Sequence, residues 1–110
     1  MPGRYGVEVT SDGTNGIRLL VSGEVDLANA QLLLDAIMSV APGPLREVKA
    51  DLSAVTFMDS SGLAAIVRAQ EWLLDRQVRL VLVNPSSQLE QLVQSAGFEG
   101  FFSIEGPGVD

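Results

Sequence analysis

The hydrophobic period of this chain changes within a few residues, and that change limits the folds open to it. Val48, Ala50 and Leu52 alternate with Lys49 and Asp51, as on a strand with one face turned inward. Beyond them Leu63, Ile66, Val67, Gln70, Leu73 and Leu74 recur at three- and four-residue steps, the spacing of an amphipathic helix. The corner between the two is Thr56-Phe57-Met58-Asp59-Ser60-Ser61-Gly62-Leu63. Either Asp59 or Ser60 can cap the helix, because a short side-chain oxygen there accepts an orphan amide of the first turn. Gly62 sits just inside that turn, where it costs roughly 1 kcal/mol of helix propensity relative to Ala. A glycine kept at that cost implies that something approaches the backbone closely.

The flanking sequence supplies the rest of a layered α/β domain. Tyr5, Val7 and Val9 alternate with Gly6, Glu8 and Thr10 in a first strand, and the stretch from Ser11 to Gly16 is rich in residues that tolerate positive φ. A second strand from Ile17 to about Ser22 then completes an antiparallel hairpin. Gly23-Glu24-Val25-Asp26 leads into a helix expected over about 28–41, with Ala30, Leu33, Leu34, Ile37 and Ala41 inward and Gln31 and Asp35 outward. Pro42-Gly43-Pro44 stops it. The Asp26 carboxylate, close to the start of that helix, is favoured by the exposed amides and the dipole.

The third strand is expected over about 47–52 and the corner helix to about Asp75. On that helix Ala65, Arg68, Trp72 and Asp75 form a face turned away from the Leu63, Ile66 and Leu73 stripe, leaving Trp72 to lie against a loop or to contact a partner. Val78 and the run Leu80 to Val83 read as a parallel strand covered on both faces. Ser87 to Glu90 fits a capping box opening a third helix, with Leu89, Leu92, Val93 and Ala96 inward and Gly97 as its stop. Phe101, Phe102 and Ile104 then pack back on the sheet. The order ββαβαβα implies a single domain over 4–105, a mixed β-sheet of one antiparallel hairpin plus parallel strands covered by about three helices, with loose termini at 1–3 and 106–110.

The residue inventory narrows the chemistry. The 110 residues contain no cysteine and no histidine, which removes thiolate and imidazole metal sites, disulfides and the usual neutral-pH general base. No phosphate loop of the G-x-x-x-x-G-K-[ST] kind is present. The expectation is therefore no catalytic residue, no metal and no cofactor. Seven basic residues against fourteen acidic ones give a net charge of −7, a surface that repels nucleic acid and anionic membranes and suits a basic protein partner. No apolar run approaches the roughly 18 residues of a membrane span, and Met1-Pro2-Gly3-Arg4 does not open a signal peptide. A cytoplasmic protein without direct membrane contact is expected.

Phe57-Met58-Asp59-Ser60-Ser61-Gly62-Leu63 resembles the phosphorylation-site motif of bacterial anti-sigma factor antagonists, single-domain proteins of the STAS family. Val21-Ser22-Gly23-Glu24-Val25-Asp26 is similar to the family's G-E-[LV]-D signature, and Val81-Leu82-Val83-Asn84 and Ser95-Ala96-Gly97-Phe98 also match its pattern. The resemblance implies the STAS fold, with one departure: many members carry a further helix after the last strand, for which this chain ends too early. It also implies a mechanism. The unphosphorylated domain binds an anti-sigma factor that is itself a serine kinase with its own ATP and magnesium, and so frees the sigma factor. Phosphorylation of Ser60 parts the complex, and a phosphatase acting on phospho-Ser60 resets it. Asp26, Asp59, Ser60, Ser61 and Gly62 then belong to the partner-binding surface, with Ser61 either a second acceptor or simply a first-turn residue. Two other readings stay open: a STAS subunit of another assembly, such as a stress-signalling complex or the partner of a transporter, and a small enzyme or nucleotide-binding protein.

Overall fold

The computed structural model describes residues 4–11, 13, 16–40 and 46–106. Among the described residues, five strands and three helices follow one another as β1 (Gly6–Ser11), β2 (Gly16–Val25), α1 (Ala30–Ser39), β3 (Glu47–Met58), α2 (Ser60–Leu74), β4 (Arg79–Val83), α3 (Ser87–Ser95) and β5 (Ser103–Glu105). The strands lie side by side in chain order in one sheet. β1 and β2 pair antiparallel, and every later pair is parallel. The mixed, helix-covered sheet read from the sequence is therefore the fold. Expectations for residues 1–3, for Ala41 and the proline stop after it, and for the tail beyond Gly106 lie outside the described residues.

Register assigns the two sheet faces. Leu19 stands beside Ala50 and Ala50 beside Leu82, a row buried under the helices with Leu33, Ile37, Ile66 and Leu73. The alternate row places Arg18 beside Lys49 and Leu20 beside Asp51. Ion pairs lace this second face, Arg18 to Asp51 at 2.9 Å and Lys49 to Glu105 at 3.4 Å. On β2 and β3 the period of two thus separates an oily face from a charged one, whereas β4 is buried on both, with Val81 and Val83 beside Lys49 and Asp51.

Several boundaries moved, each for a local reason. β3 runs on to Met58 instead of stopping near Leu52, because its last residues keep pairing with β2 after β4 has ended. The register slips twice on the way, each time with an extra residue on β3, and Gly23 at φ 83° stands at the second slip. Side chains other than glycine resist that backbone region. α1 begins at Ala30, not Ala28, because the chain first makes a turn in which Asn29 and Ala30 both donate backbone N–H bonds to the Asp26 carbonyl. At α3 the capping residue is Ser86, whose hydroxyl accepts from the Leu89 amide at 3.1 Å. Ser87 is therefore the first helical residue, and Glu90 lies one place too far along for a capping box. Gly97 does take positive φ after that helix, but Ala96 is exposed, not inward.

The second face of α2 also differs from expectation. Ala65 is buried, because α1 packs beside α2 and covers that flank. Trp72 is half-buried against the margin of the core, with the Arg76 guanidinium stacked over its ring at 3.6 Å. The sequence placed it wholly off the core, whereas one side of the ring packs on the core margin.

Candidate functional site

The corner between β3 and α2 is held by bonds that the chain makes to itself. β2 and β3 end together, Val25 beside Met58, and the Asp59 amide donates to the Val25 carbonyl at 3.2 Å. Asp59 is in extended conformation and caps α2: its Oδ1 accepts from the amides of Ser61 at 2.9 Å and Gly62 at 3.3 Å. Those are orphan donors of the first turn, and the carboxylate also faces the positive end of the helix dipole. Of the two capping residues the sequence allows, the chain uses Asp59. Ser60 is thereby released to stand at the first helical position, exposed. Its hydroxyl has no hydrogen-bond partner among the described residues.

Gly62 is buried, and what crowds it is the protein's own core. A Cβ there would lie 2.5 Å from Met58 Cγ and 3.0 Å from Val25 Cγ1, whereas carbon atoms in contact prefer about 3.5–4.0 Å. Val25 and Met58 are both fully buried. The close approach anticipated for this glycine is thus real, and it seats the first turn of α2 on the ends of two strands.

Asp26 heads the neighbouring loop and is committed to it. Its Oδ1 accepts from the Ala28 amide at 3.0 Å, and its own amide donates to Asn29 Oδ1 at 3.0 Å. Asn29 Nδ2 in turn donates to the Glu24 carbonyl at 2.9 Å. α1 has no side-chain cap of its own, since the Asn29 side chain is spent on bracing the loop. A third brace comes from α3, where Gln88 Nε2 donates to the Met58 carbonyl at 2.9 Å.

Asp26, Asp59, Ser60, Ser61 and Gly62 therefore lie at the carboxyl ends of adjacent strands or in the turns directly after them. Asn29 and Gln88 join them, and the sequence reading missed both. Asparagine just ahead of a helix is a signal for the first; nothing local marks the second, which reaches the corner from 30 residues away. Leu27 and Phe57, 81% and 46% exposed, flank the corner with apolar surface.

The arrangement presents an exposed, unengaged hydroxyl on Ser60 and, beside it, a half-buried one on Ser61 that is also without a hydrogen-bond partner among the described residues. No cluster of three or more His, Cys, Asp or Glu residues suited to a metal ion occurs among the described residues. None of their helices is long and apolar enough to cross a membrane. What the corner can do chemically is accept a group on Ser60 Oγ, next to the positive pole of α2.

Comparison with known proteins gives the family. Residues 8–106 match the family model of the STAS domain. An anti-sigma-B factor antagonist of Listeria monocytogenes is 32% identical over 101 residues, 90% of this chain and 87% of the relative. The crystal structure of an anti-sigma factor antagonist from Mycobacterium paratuberculosis superposes with a TM-score of 0.80 at 26% identity, covering 96% of this chain and 88% of the other. The low affinity sulfate transporter 3 of Stylosanthes hamata is 28% identical over 86% of this chain, which is 16% of the transporter.

Proposed function

This chain belongs to the STAS-domain family, and from that premise we propose that it is an anti-sigma factor antagonist switched by phosphorylation of Ser60. The unphosphorylated domain binds an anti-sigma factor that is also a serine kinase, and the sigma factor is released to RNA polymerase. The kinase then transfers phosphate from its own ATP to Ser60 Oγ, and the complex parts until a phosphatase removes the group. ATP and magnesium belong to the partner, so this chain supplies an acceptor and a docking surface and no catalysis. The setting of such an exchange is the cytoplasm.

The observation that carries the reading is the exposed Ser60 hydroxyl, unengaged beside an already satisfied cap, in a chain related over nearly its whole length to an anti-sigma-B factor antagonist. Phosphate at that position meets the amide end of α2, so the domain tolerates it. A partner does not. The group adds about −1.5 to −2 charges, where Asp26 and Asp59 already stand. Dehydrating it in an interface not built for it costs several kcal/mol, which is orders of magnitude in affinity. In this reading Asp26 and Ser61 border the acceptor, Asp59 fixes it in place, and Gly62 acts by seating the helix. The transporter reading is weaker, because the likeness there is to a small part of a much longer protein.

The test is to incubate the purified chain with the histidine-kinase-like ATPases of its own cell and ATP, and to map phosphate by mass spectrometry. A single phosphate on Ser60 is expected. Ser60→Ala should hold the kinase persistently and Ser60→Asp weakly; equal affinity of the two variants would refute the charge switch, and labelling elsewhere would refute the site.

A further inference from the structure

Beside Ser60, α2 offers an exposed ridge of Ser60, Ala64 and Arg68, four residues apart and so on one line of the helix surface. A groove runs along each side. One, between α1 and α2, has a volume near 220 Å³ and is lined by Leu27, Leu34, Ser61, Ala64 and Arg68 among others. The other, between α2 and the end of α3, is near 280 Å³ and is lined by Ser60, Val67, Arg68, Ala96 and Phe98 among others. The walls are mostly apolar, and Ala64 keeps the ridge low enough for another backbone to come close. Arg68 is the basic residue common to both grooves.

Its guanidinium is also uncommitted. Arg18, Lys49 and Arg79 are paired with carboxylates on the sheet, and Arg76 lies on Trp72. Arg68 has neither an ion pair nor a hydrogen bond among the described residues. A partner that covers the two grooves strips water from this cation, and a dehydrated cation without a counter-charge is strongly disfavoured. The sign is informative, because Arg68 is a positive point on a chain of net charge −7.

We propose that Arg68 sets partner choice, and that the cognate anti-sigma factor presents a carboxylate to it between two apolar side chains that enter the flanking grooves. This rests on the reading of the chain as an anti-sigma factor antagonist and adds to it which of several related partners is accepted. A partner with a neutral or basic residue at the facing position leaves Arg68 buried and unpaired, and is rejected even if every other contact is kept.

The experiment measures binding of the kinase that labels Ser60 to wild type, to Arg68→Glu and to Arg46→Glu. The last makes the same change in net charge at the opposite end of β3, away from the corner. Arg68→Glu should weaken binding at least tenfold and Arg46→Glu less than twofold, with both variants melting like wild type. An Asp or Glu→Lys change in the partner, found by screening its acidic surface residues one at a time, should restore Arg68→Glu binding. Equal effects of the two reversals, or no partner change that rescues, would overturn the assignment while Ser60 labelling of the wild type still upholds the antagonist reading. Failure of the wild type to be labelled by any such kinase would remove both. A wild-type homodimer that Arg68→Glu dissociates would show that a second copy fills the grooves, which also overturns it.

Discussion

Replacing Gly62 by Ala sets two well-characterised effects against each other at the corner. Gly62 is in the first turn of α2, and helix propensity alone predicts that Ala stabilises by about 1 kcal/mol. Packing predicts the reverse. The new methyl would sit 2.5 Å from Met58 Cγ, 3.1 Å from Met58 Sδ and 3.0 Å from Val25 Cγ1, so Met58 must retreat by about 1 Å to restore ordinary contact. Met58 is a flexible side chain but has no exposure to solvent, and its retreat is into other core atoms. Overpacking of this kind costs about 1–3 kcal/mol. Taking the middle of that range, Gly62→Ala is destabilised by about 1 kcal/mol net, a fall in Tm of about 4 °C for a domain of this size.

Urea and thermal unfolding followed by circular dichroism measure this, provided the transition is two-state. The decisive comparison is a double-mutant cycle with Met58→Ala. That change alone costs about 2–5 kcal/mol, but it empties the space the new methyl needs. In the Met58→Ala background Gly62→Ala should become neutral or stabilising, a coupling of about 1–2 kcal/mol. If Gly62→Ala stabilises the wild type by its full helix propensity, or costs the same in both backgrounds, the close approach is not what requires glycine here.

Two further outcomes follow from polar groups elsewhere in the fold. Gln70 is buried, donating to the Phe101 carbonyl at 2.8 Å and accepting from the Leu80 amide at 3.3 Å; Gln70→Leu strands both groups, each at about 1–3 kcal/mol, and hydrogen exchange at the Leu80 amide should accelerate. Burial pushes the Asp51 carboxyl up, but the Ser53 hydroxyl and amide together with the Arg18 guanidinium outweigh it and hold Asp51 below the ordinary carboxylate range. Its stabilisation is therefore complete above the unfolded value of about 3.9 and is lost as pH falls through the lower folded value. Asp51→Asn should flatten the acid limb of a plot of urea midpoint against pH, and a limb parallel to that of wild type would count against the assignment.

What the sequence determined by itself is the list of elements and the location of the corner. Alternation at Val48, Ala50 and Leu52, and three- and four-residue spacing from Leu63 to Leu73, are local consequences of the two backbone geometries, so they can be read without knowing any neighbour. A cap at Asp59 or Ser60 and the stop at Gly97 were legible for the same reason, since both depend on groups within three or four residues along the chain, and the structure chose Asp59. Only the tertiary structure decided the rest. It decided how far β3 extends, because strand length is set by pairing with β2; which flank of α2 is buried, because α1 covers Ala65; why residue 62 is glycine, because Met58 and Val25 press on it; and that Gln70 and Gln88 brace distant backbone. Contacts of that kind join residues whose separation along the chain carries no period, and only folding brings them together.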